Sequence, residues 1–278
     1  MPLPSIEQIT QQVQLALEED IATGDVTASL IPENKVSVAQ LICREKAILC
    51  GQSWFNSAFN LLDNGIAIKW FFDDGDNMNE DDVICEITGN ARHILTAERT
   101  ALNFLQTLSA TATLTHDYVA EISNTNCKIL DTRKTIPGLR LAQKYAVKCG
   151  GGENHRVGLY DMILIKENHI QAAGSISAAV TLAKENYPEL KIEVEAETLE
   201  ELREAINVHV DRVLLDNMDI AMLKEAVKMT NKKTMLEASG NITIKNIRSV
   251  AETGVNYIST GSITKNIKAT DFSMRFIA

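Results

Sequence analysis

Two short apolar runs, Ile129-Leu130 and Met162 to Ile165, each break off into charge: Asp131-Thr132-Arg133-Lys134 after the first, Lys166-Glu167-Asn168-His169 after the second. Between them stand a Pro-Gly break, a basic helical segment, three consecutive glycines (Gly150, Gly151, Gly152) and the pair His155-Arg156. Apolar runs of this length read as buried strands, and cations at their C-terminal ends read as a site for an anion. Arg133 offers a planar fork that can hold a carboxylate or phosphate through two hydrogen bonds, whereas Lys134 and Lys166 are point charges. Any one of them could equally be half of a surface ion pair. Arg140 and Lys144, on the helical segment that follows, read as a solvated face.

Carboxylates come next. In Lys191-Ile192-Glu193-Val194-Glu195, strand alternation puts Glu193 and Glu195 on one face, and Asp216 closes the apolar run Val213-Leu214-Leu215. Charges inside a sheet are costly unless paired with a metal or with cations. Glu195 and Asp216 could jointly hold Mg²⁺, directly or through water, or could balance the lysines; spacing does not choose between these. The last two strand ends read Ala238-Ser239-Gly240-Asn241 and Ser259-Thr260-Gly261-Ser262. Each is small and hydroxyl-bearing, and backbone N–H groups there could cradle a phosphate. A tight βα turn explains either one alone, but two in succession favour phosphate.

The elements that must carry these residues follow from periodicity. Ser5 to Glu19 has helical apolar spacing with Ser5 as N-cap. Val36 to Gly51, Ile66 to Phe72 and Val83 to Ile87 read as strands, and Leu95 to Ser109 as a helix capped by Thr96. After Thr113 the pattern changes. A helix from about His116 to Ser123 leads into strands at Lys128–Leu130, Met162–Ile165, Lys191–Val194, Arg212–Leu215, Thr234–Glu237 and Asn256–Ile258. Helical segments at Ser175–Asn186, Leu199–Asn207, Ile220–Thr230 and Thr243–Thr253 separate the later strands. Repeated strand–helix units predict a parallel α/β barrel, and six strands leave it two short of eight.

Composition bounds the function. A chain of 278 residues with 45% hydrophobic and 23% charged residues has room for one large or two modest globular domains. Its net charge of −10 argues against nucleic acid or an anionic membrane as the main partner, so the local cation cluster points to a small anionic ligand. The five cysteines are scattered and contain no CxxC pair, which fits a reducing compartment better than a disulfide or zinc framework. The opening MPLPSIEQIT has no signal-like charged and apolar regions, and no window approaches the roughly 18 apolar residues of a membrane span. A cytoplasmic protein is the expectation.

The motifs DTRKTIPGLR, KYAVKCGGGENHRVGLYDMILIKENHI, EVE, LLDN, EASGNI and STGSIT, with EEDIATGDVT and ERTALNFLQ earlier, closely resemble the quinolinate phosphoribosyltransferase family. The resemblance runs through nearly the whole chain. It implies a type II phosphoribosyltransferase: an N-terminal α/β sandwich (1–113, with the tail 271–278 returning to it) and an incomplete α/β barrel (114–270). The implied reaction joins quinolinate to 5-phosphoribosyl-1-pyrophosphate, giving nicotinate mononucleotide, pyrophosphate and CO₂ in NAD biosynthesis.

By the same resemblance Arg99, Thr132, Arg133, Lys134, His155, Arg156 and Lys166 surround quinolinate and the pyrophosphate. Glu195 and Asp216 face the ribose and Mg²⁺, and Ser239, Gly240, Asn241, Thr260, Gly261 and Ser262 take the 5′-phosphate. Catalysis falls to Lys134, Lys166, Glu195 and Asp216. Family members are dimers or dimer-based hexamers in which Arg99 reaches the partner's site. Three rival readings differ in the acid they accept or in activity: a phosphoribosyltransferase for nicotinate or another pyridine acid, another phosphosugar barrel, and a metabolite-binding protein.

Overall fold

Ser5 starts the first helix as a capping residue should. Its side chain accepts from the Gln8 N–H and the Gln8 side chain returns a bond to the Ser5 N–H, which satisfies two helix-end donors at once. The computed structural model describes residues 3–277. Residues 1, 2 and 278, which the expected domain bounds include, lie outside the described residues.

In chain order the elements are α1 (Ile6–Ile21), β1 (Val36–Cys43), β2 (Ala47–Ile48), α2 (Gln52–Leu62), β3 (Ala67–Trp70), β4 (Asn77–Met78), β5 (Val83–Asn90) and α3 (Ala91–Glu121). There follow β6 (Lys128–Leu130), α4 (Arg140–Cys149), β7 (Ile163–Ile165), α5 (Glu167–Ala173), α6 (Ile176–Asn186), β8 (Ile192–Ala196) and α7 (Leu199–Asn207). The chain closes with β9 (Arg212–Asp216), α8 (Ile220–Thr230), β10 (Met235–Ser239), α9 (Ile247–Ala251), β11 (Tyr257–Ser259), α10 (Ser262–Lys265) and β12 (Phe272–Ile277).

The chain divides into two units, with one boundary inside α3. The first comprises the chain up to His116, Ile136–Gly151 and the part from Ile267 onward. Its sheet runs β12-β1-β5-β3, with β12 antiparallel to β1 from Val38↔Ile277 to Cys43↔Phe272. Trp54, Phe55 and Phe59 on α2 are fully buried in its core, with Leu41, Ile84, Ile87 and Leu105. Burial of this kind contributes about 2–3 kcal/mol for each large side chain. α2 is not among the expected helices, although its buried residues Trp54, Phe55, Ala58 and Phe59 recur at the i, i+1, i+4, i+5 spacing of one helical face.

The second unit, Asp117–Thr135 with Gly152–Asn266, is an all-parallel six-stranded sheet in the order β6-β11-β10-β9-β8-β7. β6 and β7 are its two ends, so the barrel is incomplete, and the expected α/β architecture stands. Glu153 pairs with Leu130 as an isolated parallel bridge on the outer side of β6.

Four expectations are corrected. Leu95–Ser109 and His116–Ser123 are not two helices but parts of the single 31-residue α3. No Gly or Pro interrupts it, and Thr111 and Thr115 return their hydroxyls to the carbonyls of Thr107 and Thr111. Thr96 is therefore no cap; it lies within the helix and bonds the Arg92 carbonyl and Asp25. Segment 136–151, expected with the barrel, groups with the first unit. Its helix α4 buries Ala142, Gln143, Lys144, Ala146 and Val147, so Lys144 is enclosed rather than solvated.

Candidate active site

A parallel sheet presents the residues just beyond each strand at one rim. Two adjoining clefts open there, both in the second unit. The first, about 270 Å³, is lined by Thr132, Arg133 and Lys134 after β6, by His155 and Arg156, and by Lys166 after β7. Glu195 of β8, Asp216 of β9, Glu237 and Ser239 of β10 and Ser259 of β11 complete it. The second, about 500 Å³, shares Thr132, Lys134, Asp216, Ser239 and Ser259 and adds Gly240, Asn241, Thr260, Gly261 and Ser262. A larger cavity of about 690 Å³, lined in part by Val227, Leu236, Ala251 and Val255, contains none of these charged strand ends.

The cations are held from behind. Asp131, fully buried, accepts from the His155 N–H at 2.9 Å and from Asn154 Nδ2 at 2.5 Å, so the first strand end anchors the His155-Arg156 loop. The loop is tied again where Asp161 accepts from the N–H groups of Val157 and Gly158, at 2.7 and 2.9 Å. Arg156 donates to the Met162 carbonyl at 3.3 Å. Its pKa is lowered, first by burial and then by the like charge of Arg133. Two guanidiniums brought into mutual repulsion in one cleft are arranged for a ligand with more than one negative charge. Lys166 Nζ lies 2.6 Å from Glu195 Oε2, a half-exposed pair that holds the ammonium at the cleft until an anionic ligand competes for it.

The second cleft is a backbone cradle. Gly240 has φ +94°, and a Cβ there would fall 2.2 Å from Asn217 Oδ1 and 2.9 Å from the Asn217 N. Only glycine fits. Asn217 and Asn241 themselves adopt left-handed φ of 56° and 51°, and Asn241 Nδ2 donates to Asn217 Oδ1 at 3.2 Å. Across the cleft, a Cβ at Gly261 would press to 2.9 Å from Lys134 Cδ. Lys134 is fixed at both its backbone ends: its N–H donates to Thr132 Oγ1 at 3.0 Å and its carbonyl accepts from Thr264 Oγ1 at 2.7 Å.

The rim therefore gathers every sequence-predicted site residue except Arg99, which is exposed on α3 in the first unit and lines neither cleft. Glu195 and Asp216, on adjacent strands at the same cleft, form a hard-oxygen donor pair of the kind that holds Mg²⁺ through water and substrate phosphates.

A family model described as the quinolinate phosphoribosyl transferase C-terminal domain matches residues 111–275, and its N-terminal counterpart matches residues 23–109. The chain belongs to the quinolinate phosphoribosyl transferase family. A probable nicotinate-nucleotide pyrophosphorylase (carboxylating) of Bacillus subtilis is 42% identical over 92% of this chain and 89% of its own length. A mitochondrial quinolinate phosphoribosyltransferase (decarboxylating) of Nicotiana glauca is 39% identical over 96% of this chain and 82% of its own. Among solved structures, the nicotinate-nucleotide pyrophosphorylase of Francisella tularensis superposes with a TM-score of 0.97 at 50% identity, covering 99% of this chain and 98% of that one.

Beneath the cleft lies a layer that local sequence does not announce. Glu193 and Glu237 are both fully buried, and Arg212 Nη1 lies 2.7 Å from Glu237 Oε2. Arg212 also stacks over Tyr257, 4.5 Å from the ring centroid. Alternation had put Glu193 on the inner face, but nothing local announces that Glu237 and Arg212 meet it.

Burial and then the charge of Glu193 push the Glu237 carboxyl up to about 7, from an ordinary 4.5. The protonated form is thus favoured by folding. The stability it contributes is fully present below pH 4.5 and is lost as pH rises through about 7, on the order of 2–3 kcal/mol. Glu237→Gln is expected to remove that slope, so its thermal midpoint changes less between pH 4.5 and 7.5 than that of the parent. Equal slopes in thermal denaturation would refute the assignment.

Proposed function

We propose that the chain transfers the phosphoribosyl group of 5-phosphoribosyl-1-pyrophosphate to quinolinate with decarboxylation, the nicotinate mononucleotide-forming step of NAD biosynthesis. The observation that carries this reading is the pairing of Arg133 with Arg156 in one cleft beside Lys134 and Lys166, with a backbone cradle adjoining. Quinolinate is a dianion, and its two carboxylates meet the two guanidiniums and Lys166. The ribose 5′-phosphate takes the cradle of Ser239, Gly240, Asn241, Thr260, Gly261 and Ser262.

The chemistry follows from the placement. As the C1–O bond to pyrophosphate breaks, positive charge develops on the ribose ring, and the carboxylates of Glu195 and Asp216 stabilise it electrostatically. Lys134, which lines both clefts, neutralises the departing pyrophosphate. The pyridine nitrogen forms the new bond to C1 from the opposite face. With the ring nitrogen now positive, the bond to the 2-carboxylate breaks, its electron pair stays on the ring and is protonated at C2, and CO₂ leaves. Glu195 and Asp216 also suit Mg²⁺, which when bound would neutralise phosphate charge.

The reading extends to a homodimer, or a hexamer built from dimers, in which the exposed Arg99 of one subunit completes its partner's cleft. It also extends to a cytoplasmic location. All five cysteines are free, and among the described residues no helix is long and apolar enough to cross a membrane.

The test is release of CO₂ from quinolinate labelled in its 2-carboxyl group, with nicotinate as competing acceptor. Label released only in the presence of the ribosyl donor supports the reaction. Nucleotide formed from nicotinate without CO₂ release would transfer the chain to a different acceptor.

A further inference from the structure

His155 lies between the substrate cleft and the buried layer, and its two ring nitrogens are both accounted for. Nδ1 accepts the backbone N–H of Arg156 at 2.7 Å, so it carries no proton. A neutral imidazole must then carry its proton on Nε2. Nε2 lies 2.8 Å from Glu193 Oε2 and 3.5 Å from Glu237 Oε2. Neither Glu193 oxygen receives a hydrogen bond of ordinary alignment. The tautomer is therefore set at Nδ1, which the Arg156 N–H occupies, with the Glu193 carboxylate a nearby charge rather than an aligned acceptor.

His155, Glu193 and Glu237 place one ligating atom each within 4.8 Å of one another, which raises the question of a metal. The local cation is already protein-borne: Arg212 Nη1 is 2.7 Å from Glu237 Oε2 and its Nε 3.8 Å from Glu193 Oε1. The 2.8 Å spacing of Nε2 and Oε2 is a close charge contact without the alignment of a hydrogen bond.

We propose that His155 is a positioning residue, present as the neutral Nε2–H tautomer, whose Nδ1 fixes the Arg156 peptide and thereby aims the Arg156 guanidinium at the substrate's carboxylate. Nδ1 is occupied by the Arg156 N–H, and Nε2 faces the buried carboxylates of Glu193 and Glu237. Asp131 fixes the N–H of His155 and the Nδ1 of His155 fixes the N–H of Arg156, so two successive peptides of the loop are set by side chains. The Glu193 carboxylate favours a proton on Nε2 through its charge. The inference rests on the assignment of Arg156 to a substrate carboxylate, whereas the tautomer itself does not.

Two measurements test it. In the full-length protein labelled with ¹⁵N-histidine, the resonances lost in His155→Asn identify His155. At neutral pH its Nδ1 should resonate as an unprotonated nitrogen and its Nε2 as an N–H. Glu193→Gln should keep that pattern, since the tautomer is set at Nδ1 by the Arg156 N–H. A protonated Nδ1 in either protein overturns the proposal.

The second is kinetic. His155→Ala removes the Nδ1 acceptor and should raise the KM for quinolinate while kcat falls less than about tenfold; His155→Asn, which keeps an acceptor oxygen near the Nδ1 position, should bring KM back toward the parent value. A proton-transferring histidine contributes about 10²–10⁴-fold. A kcat loss of about a hundredfold or more with unchanged KM would overturn positioning. The tautomer pattern is read without turnover, so it separates failure of this inference from failure of the assigned reaction.

Discussion

Lys134→Ala is expected to lower kcat/KM for phosphoribosyl transfer by about a thousandfold, roughly 4 kcal/mol of transition-state stabilisation. The size follows from position. Lys134 is the cation common to both clefts, so on the proposed reading its ammonium sits where the ribosyl donor's phosphates and the acid's carboxylate converge. Its backbone is held through Thr132 and Thr264, and Gly261 leaves room for its stem. The charge is thus preorganised and costs no rearrangement as the pyrophosphate leaves. Because the side chain is exposed, its truncation should leave stability within about 0.5 kcal/mol. Parallel kinetics and thermal denaturation check this, and a loss of less than tenfold in a folded variant would remove Lys134 from the chemistry.

Arg99→Ala and Lys134→Ala, each nearly inactive alone, should regain about a quarter of the parent activity when unfolded and refolded together in equal amounts. If Arg99 serves the neighbouring subunit, half of the randomly paired dimers are mixed, and each mixed dimer holds one site with both residues intact. Arg99 lies exposed in the first unit and lines neither cleft, although its chemistry is that of a carboxylate-binding fork. Turnover in the mixture, alongside sedimentation to establish the oligomer, decides the matter. No recovery in a mixture shown to contain mixed dimers would mean that Arg99 acts within its own chain or not at all.

The cleft was legible for a physical reason. A strand buried on both faces is an apolar run, and the first polar residues after it must emerge at the rim. Arg133, Lys134, Lys166 and Ser239 could therefore be placed from local sequence, and β6 lies at Lys128–Leu130 as read. Glu195 and Asp216 needed one further step, the two-residue alternation that decides which side chains face inward. The incomplete barrel follows from the same runs, because six of them lead to six parallel strands.

Other features depend on who meets whom across the sheet. Glu193, Arg212 and Glu237 come from three strands, and register alone brings Glu193 opposite Arg212. A Glu on a strand reads the same whether it meets water or a buried guanidinium. Asp131 looked like one more charge in a polar run, yet it is fully buried as the anchor of a loop 24 residues further on. Lys144 is enclosed although its helix carries the charges of a solvated face. Local chemistry determined where charge leaves each strand. Only the tertiary structure decided which charges are buried together, because desolvation and pairing are set by neighbours distant in sequence.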